Sequence, residues 1–294
     1  MLESIRLDHL TNTNRTLLIP LSGRAYGATY FPKMGFLDLK AQEWADRIDY
    51  DRALFTDDRQ AVWGTLLRTQ VFDQIAREFI DQNPDGFVVN LGAGLCTRYF
   101  RLAVPQGITW LELDLPEVIK IKERFCTSTE KFRLISFDLG SESAWSELTE
   151  SLTRPTLVLS EGVFMFLPPA AVDAVFSRFL RLPNPSLKFA FDYLHPWIRR
   201  FRWLQPKSFR ATGASYLWAV RSMNDLLTSQ SQLRLITDQA LSARFPWRLK
   251  VMSWILRRIA GLSPYDIAVV EKIPVPREIA ASLIQINCNN SDTV

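Results

Sequence analysis

The sequence predicts an α/β protein: a doubly wound, mostly parallel sheet behind an N-terminal helical cap. Three observations carry this. Five short apolar stretches recur between Phe87 and Tyr193, separated by helical patterns. The first of them stops abruptly at Gly92-Ala93-Gly94, a turn bare enough for a ligand to approach the backbone. The residues before it repeat with a helical period, not an alternating one.

The elements follow in order. Residues 1–83 read as mostly helical, and Ala61 to Ile80 sets Val62, Leu66, Val71, Ile75 and Phe79 near one face. Pro84-Asp85-Gly86 breaks that pattern, and Phe87-Val88-Val89 starts the first strand, which ends at Leu91. Ile108 to Leu111 reads as the second strand, running out through Glu112-Leu113-Asp114, with a helix after Pro116. Phe132 to Phe137 reads as the third, ending at Asp138, with a short helix over Ser143–Leu148. Pro155 to Leu159 reads as the fourth, ending at Ser160-Glu161-Gly162. Pro168-Pro169 then opens a helix running to about Leu182, since a proline at the first helical position loses no hydrogen bond. Leu187 to Tyr193 reads as the fifth strand, with Asp192 at its end. Residues 196–260 read as a helical excursion with one strand at Gln232–Thr237, and Tyr265 to Val270 as a last strand. With no linker in view, a single domain is expected: cap 1–83, core 84–195, basic insertion 196–260, last strand and tail 261–294.

Composition bounds the function. The chain has 294 residues, 47% hydrophobic and 22% charged, ordinary for a globular protein. Three cysteines, Cys96, Cys126 and Cys288, form no CxxC pair, so neither a disulfide framework nor a zinc site follows and a reducing cytoplasm is expected. No apolar run reads as a secretory leader core or a membrane span. The net charge of +4 is uneven: Pro196 to Arg258 carries twelve Lys or Arg against Asp225 and Asp238. Such a segment suits an acidic ligand, an acidic membrane surface or nucleic acid, or it is a solvated helical surface. A peripheral membrane helix over Arg244–Arg258 is set aside, because Arg244, Arg248 and Arg258 fall among its apolar positions. Nucleic acid is not expected as a partner.

In an open parallel sheet, ligands bind beyond the carboxyl ends of the strands. All five ends carry an acid or a glycine turn. Asp114 lies twenty residues past Gly94 and suits two ribose hydroxyls, which a carboxylate accepts with its two oxygens. A dinucleotide fingerprint wants glycine at 92, 94 and 97, but position 97 is Thr, although Arg98 could meet a pyrophosphate. A rim holding Asp138 and Glu161 suits a cationic cofactor, S-adenosylmethionine, better than a pyrophosphate.

The stretches VVNLGAGLCTRYFRL (88–102), WLELDLPEVI (110–119), DL (138–139) and LVLSEGVFMFLPP (157–169), with LRTQVFDQIAREF (67–79) before them, resemble the leucine carboxyl methyltransferase family. The likeness is closer to its bacterial polyketide-pathway O-methyltransferases than to the protein phosphatase methyltransferases. It implies a Rossmann-like class I methyltransferase fold, with a seven-stranded mostly parallel sheet and an antiparallel last strand. It also implies S-adenosylmethionine as donor. By position, Arg68 resembles the arginine that meets the methionine carboxylate, and Gly92, Ala93 and Gly94 resemble the loop. Asp114 is similar to the ribose-binding acid, Asp138-Leu139 to the adenine-side pair, Glu161 to the acid after the fourth strand, and Arg24 to an N-terminal basic residue of the site. Three positions depart from the pattern. Phe166 stands where the family often has Tyr, and Cys96 where it commonly has Asp. Gly140 stands where the phosphatase methyltransferases have an Arg close to the substrate carboxylate, which argues against a protein C-terminus as acceptor.

The expected activity is methyl transfer to a carboxylate or phenol of a small, polyketide-like acceptor. His195, just past the fifth strand, is the candidate base, with a turn residue before Pro196 as the plainer reading; His9 is given no role. Trp197, Trp203, Trp218, Trp247 and Trp254 suggest an aromatic lid over the acceptor. Two other classes stay beside this one: a nicotinamide-dependent oxidoreductase, and a binding module of the same fold without turnover.

Overall fold

A computed structural model describes residues 5–7, 11–182, 184, 186–230, 232–241 and 264–273. The expectations for His9, Arg244–Arg258, Trp247, Trp254, Cys288 and the tail beyond 273 lie outside these residues.

The N-terminal cap is helical, with one addition that the periodicity did not announce. A two-residue strand β1 (Ile5–Arg6) pairs in parallel with β2 (Ile48–Asp49). Helices Leu18–Tyr30 and Leu39–Asp46 pack around a buried cluster of Leu21, Trp44 and Ala45. The long helix Arg59–Gln82 then joins the cap to the sheet. Its start is fixed by Asp58, whose carboxylate accepts from the Ala61 N–H at 3.2 Å. Its buried stripe includes Val62, Leu66, Thr69, Asp73, Ala76 and Ile80, the three-and-four spacing of one helical face.

The sheet follows: β3 (Phe87–Leu91), β4 (Thr109–Asp114), β5 (Phe132–Ser136), β6 (Thr156–Ser160), β7 (Leu187–Leu194), β8 (Leu233–Ala240) and β9 (Tyr265–Lys272). Their spatial order is β5-β4-β3-β6-β7-β9-β8. The first five run parallel, while β9 lies antiparallel between β7 and β8. The expected seven strands and antiparallel last strand are therefore present. β3 contacts both β4 and β6, so the winding direction reverses there and opens a crevice at the carboxyl ends.

Every residue of β3 is buried, as a central parallel strand requires. Alternation sends Val89 and Leu91 to one apolar layer, with Trp145, Val172 and Phe176 from helices Glu142–Ser151 and Pro169–Arg181. Val88 goes to the opposite layer, against Val71, Phe72 and Phe79 of the long helix. Pro116, Pro169 and Pro196 each stand at the start of a helix.

Two strand ends differ from expectation. β5 stops at Ser136, leaving Asp138 in the following turn. Asp192 lies inside β7 and not at its end, because the antiparallel partner extends the ladder to Leu194↔Tyr265. Trp218 is also no lid residue: it is buried against Phe164 in the main core, ring centroids 5.8 Å apart. Among the described residues, no helix is long and apolar enough to cross a membrane.

One buried polar cluster braces the second strand. Glu112 accepts from Lys122 Nζ at 2.5 Å, from Trp110 Nε1 at 2.5 Å and from Asn90 Nδ2 at 3.1 Å, and the Lys122–Glu112 pair is wholly enclosed. Removing one partner strands a charge away from water. Lys122→Met is expected to lower unfolding free energy by about 3–5 kcal/mol, read from urea denaturation. A loss below about 1 kcal/mol would mean that water reaches Glu112.

Candidate functional site

The crevice opens into a cavity of about 880 Å³ at the carboxyl ends of β3, β4 and β6. Its floor is the turn after β3. Gly92 has φ of +61° and Gly94 +48°, both in the region that side chains disfavour. A Cβ on Gly92 would stand 2.4 Å from Val163 Cγ2, while one on Gly94 would meet nothing nearer than Leu17 Cβ at 3.8 Å. Gly92 is therefore required by packing and conformation, and Gly94 leaves its face open to the cavity. Ala93 is buried, its N–H held by the Leu113 carbonyl at 3.1 Å.

Asp114, at the end of β4, is locked to this turn. One carboxylate oxygen accepts from the Gly94 N–H at 2.6 Å, the other from the Leu115 N–H at 2.7 Å. Burial pushes its carboxyl above the ordinary value, and these two N–H groups pull against that. Asp138 accepts from the Gly140 N–H at 2.8 Å, which fixes the turn after β5 and places Leu139 on the same wall.

Behind the turn lies a chain of buried ion pairs. Glu161, just past β6, accepts from Arg68 Nε at 2.9 Å and from Arg98 Nη2. Arg68 also donates to the Tyr265 hydroxyl at 2.8 Å and lies 3.4 Å from Asp192. Asp192 in turn receives the Tyr265 hydroxyl and the Gly162 N–H. Arg98 reaches Asp73 at 2.8 Å, and Asp73 also takes Arg101. Arg101 and the Thr97 hydroxyl both donate to Asp38, at 2.5 and 2.6 Å. Arg24 closes the chain: it donates to the Leu95 carbonyl at 2.8 Å and lies 3.6 Å from Asp38. Its buried Nε finds no hydrogen-bond partner among the described residues.

All nine residues singled out for cofactor binding from sequence line this one cavity: Arg24, Arg68, Gly92, Ala93, Gly94, Asp114, Asp138, Leu139 and Glu161. His195 does not. It is buried, and its Nδ1 accepts from the Trp197 N–H at 3.3 Å, capping the short helix Pro196–Arg200. The plainer reading, a turn residue before proline, is the one the geometry follows. Burial, reinforced by Arg221, also moves its pKa below the usual value. Arg98 is likewise not available to a pyrophosphate, since Asp73 and Glu161 occupy its guanidinium deep inside the protein.

Sequence reasoning did not find Asp38, Asp73 or Tyr265. Asp73 had a readable signal, an acid on the apolar stripe of a helix. It also missed the far wall of the cavity, where Phe209 and Tyr216 stack at 4.1 Å with planes 9° apart and Phe166 stands about 6 Å from both.

Comparison with known proteins agrees with this fold. Residues 24–180 match the family model for leucine carboxyl methyltransferases. The tetracenomycin polyketide synthesis O-methyltransferase TcmP of Streptomyces glaucescens is 32% identical over 233 residues, covering 79% of this chain and 83% of that protein. A Mycobacterium avium protein described as an S-adenosyl-L-methionine-dependent methyltransferase is 32% identical over 182 residues, 58% of this chain and 56% of its own length. In fold, a Thermobifida fusca protein described as a methyltransferase superposes with a TM-score of 0.54 at 12% identity, covering 86% of this chain and 94% of that one.

The ion-pair chain has a consequence in acid. Burial alone would raise the Glu161 carboxyl, but Arg98, Arg68 and Arg24 hold it down at about 2. An unfolded Glu titrates near 4.3, so the stabilisation is complete above about pH 5 and is lost as pH falls toward 2. The loss from this group is expected to be on the order of 3 kcal/mol. Urea unfolding between pH 5 and 2.5 should show a shallower slope for Glu161→Gln than for the parent; equal slopes would show that the group is not ion-paired in solution.

Proposed function

The chain belongs to the leucine carboxyl methyltransferase family, whose members use S-adenosylmethionine, and from that premise we propose an O-methyltransferase acting on a carboxylate of a small aromatic acceptor. The observation that carries the donor half is the Asp114 carboxylate held against the glycine turn on the cavity floor by the Gly94 N–H. The residues fit the donor. Asp114 accepts the ribose hydroxyls, and Asp138 with Leu139 flanks the adenine. The bare turn Gly92-Ala93-Gly94 lets the cofactor approach the backbone. Arg68 and the under-satisfied Arg24 face the methionine carboxylate, and Glu161 supplies negative charge toward its cationic groups. When bound, the donor supplies an activated methyl on a sulfonium. In this reading the whole chain serves as one methyltransferase domain, with the 1–83 cap closing the cavity against water.

The acceptor half is argued from what lines it. A volume of about 880 Å³ sits in the upper range for ligand pockets, enough for a nucleoside-sized donor and a second ring system. Phe166, Phe209 and Tyr216 favour a planar apolar body. The relative TcmP is named a polyketide synthesis O-methyltransferase, which supports a polyketide-like acceptor. A carboxylate is favoured over a phenol because it arrives ionised and needs no base. The acids of the described lining, Asp114, Asp138 and Glu161, are each held by donors of the chain itself, and no histidine stands among them. The chain's contribution is then alignment: holding the acceptor oxygen in line with the methyl at about 3–3.5 Å, in a dry cavity.

Three outcomes are expected. Asp114→Ala should raise the Kd for S-adenosylhomocysteine roughly 10- to 100-fold by calorimetry, the worth of one or two hydrogen bonds to a charged group. Unchanged affinity would place the donor elsewhere. With aromatic carboxylic acids as acceptors, kcat/KM should stay level between about pH 6 and 9 and the product should be a methyl ester. His195→Gln should keep kcat within about two-fold. A rate rising with pH toward the phenol range would assign a phenolic acceptor.

A further inference from the structure

The segment from Pro196 to Asn224 holds six Lys or Arg (Arg199, Arg200, Arg202, Lys207, Arg210 and Arg221) and no acid. It is also where the largest side chains face water. Trp203 is 73% exposed, Trp197 55% and Phe201 40%. These three rings form one row, Trp197 to Phe201 at 5.9 Å and Phe201 to Trp203 at 6.4 Å. Arg199, Arg200 and Arg202 interleave with them, and no described acid pairs with any of the three. The same stretch is held firmly to the protein. Ser208 donates twice to Asp58, at 2.8 and 3.0 Å, and Arg199 donates to the Leu217 carbonyl at 3.1 Å. Ile198, Leu204 and Pro206 of the same stretch line the cavity.

We propose that this surface seats on an anionic lipid bilayer, so that the acceptor mouth of the cavity opens toward the membrane. Indole rings settle at the headgroup level of a bilayer, where the ring is half desolvated and its N–H stays wet. Neighbouring arginines meet lipid phosphates, each worth about a five-fold gain in binding near an anionic surface. Charge alone would suit an acidic protein or a nucleic acid equally. The row of exposed rings beside an apolar cavity selects the bilayer, since apolar surface of this kind is otherwise costly to leave in water. The contact is peripheral and buries side chains only. The entry of an apolar acceptor from the bilayer rests on the methyl-transfer reading; the docking itself does not.

The test is sedimentation of the full chain with vesicles of phosphatidylcholine alone or mixed with phosphatidylglycerol. The protein is expected to bind the mixed vesicles, to be released by salt, and to show tryptophan quenching by brominated lipid. A Trp197→Ser/Trp203→Ser double variant, which keeps every charge, should lose at least about ten-fold in affinity and most of the quenching. An Arg199→Gln/Arg200→Gln/Arg202→Gln variant should lose about 100-fold. No binding to anionic vesicles would overturn the proposal. So would equal binding by the tryptophan variant, which would mean attraction by net charge alone, or tighter binding to an oligonucleotide than to vesicles. S-adenosylhomocysteine binding, measured in parallel, checks that the variants are folded. Its absence from the parent protein would sink the methyltransferase reading and leave the docking result standing.

Discussion

The structure depends on a run of arginine–carboxylate pairs that passes from the cap to the far side of the sheet. Arg24 and Asp38 belong to the cap, Arg68 and Asp73 to the long helix, Arg98 and Arg101 to the segment after the glycine turn. Glu161 belongs to the turn after β6, Asp192 to β7 and Tyr265 to β9. Buried charges of this kind are tolerated only when geometry satisfies each of them. Four guanidinium groups against four carboxylates leave the interior balanced, so the cap cannot shift relative to the sheet without exposing an unmatched charge. That is a costly way to gain stability and an effective way to fix position. The cavity walls on both sides are thereby set to one another before any ligand arrives.

This network also explains why the site was partly legible in the sequence. Strand ends, the glycine turn and the acid twenty residues on are local features, readable from spacing and apolar runs. They were found because a parallel sheet puts its chemistry where its strands stop. Arg68 and Arg24 were reached through likeness to a family, Glu161 also through its place after the fourth strand, and the structure brings all three to the same cavity.

What escaped was what depends on contact between distant parts of the chain. Nothing near Asp38 or Tyr265 signals that one will hold Arg101 and the other Arg68, 63 and 197 residues away. His195 illustrates the opposite case. It stands where a base belongs in linear order, yet β7 runs on to Leu194 against Tyr265, and the histidine is turned into capping its own helix. Trp218 was grouped with its neighbours by composition, while packing sorted them, sending it into the core and leaving Trp197 and Trp203 outside.

The place of β9 has a further consequence. Because it runs back between β7 and β8, the end of β8 and the start of β9 lie together at the cavity, where Leu241 and Pro264 both line it. The glycine turn follows β3, Asp114 ends β4 and Glu161 follows β6, and in the sheet β7 alone separates β6 from β9. A change at either strand end would thus reach the cavity wall and, through Tyr265, the guanidinium of Arg68 as well.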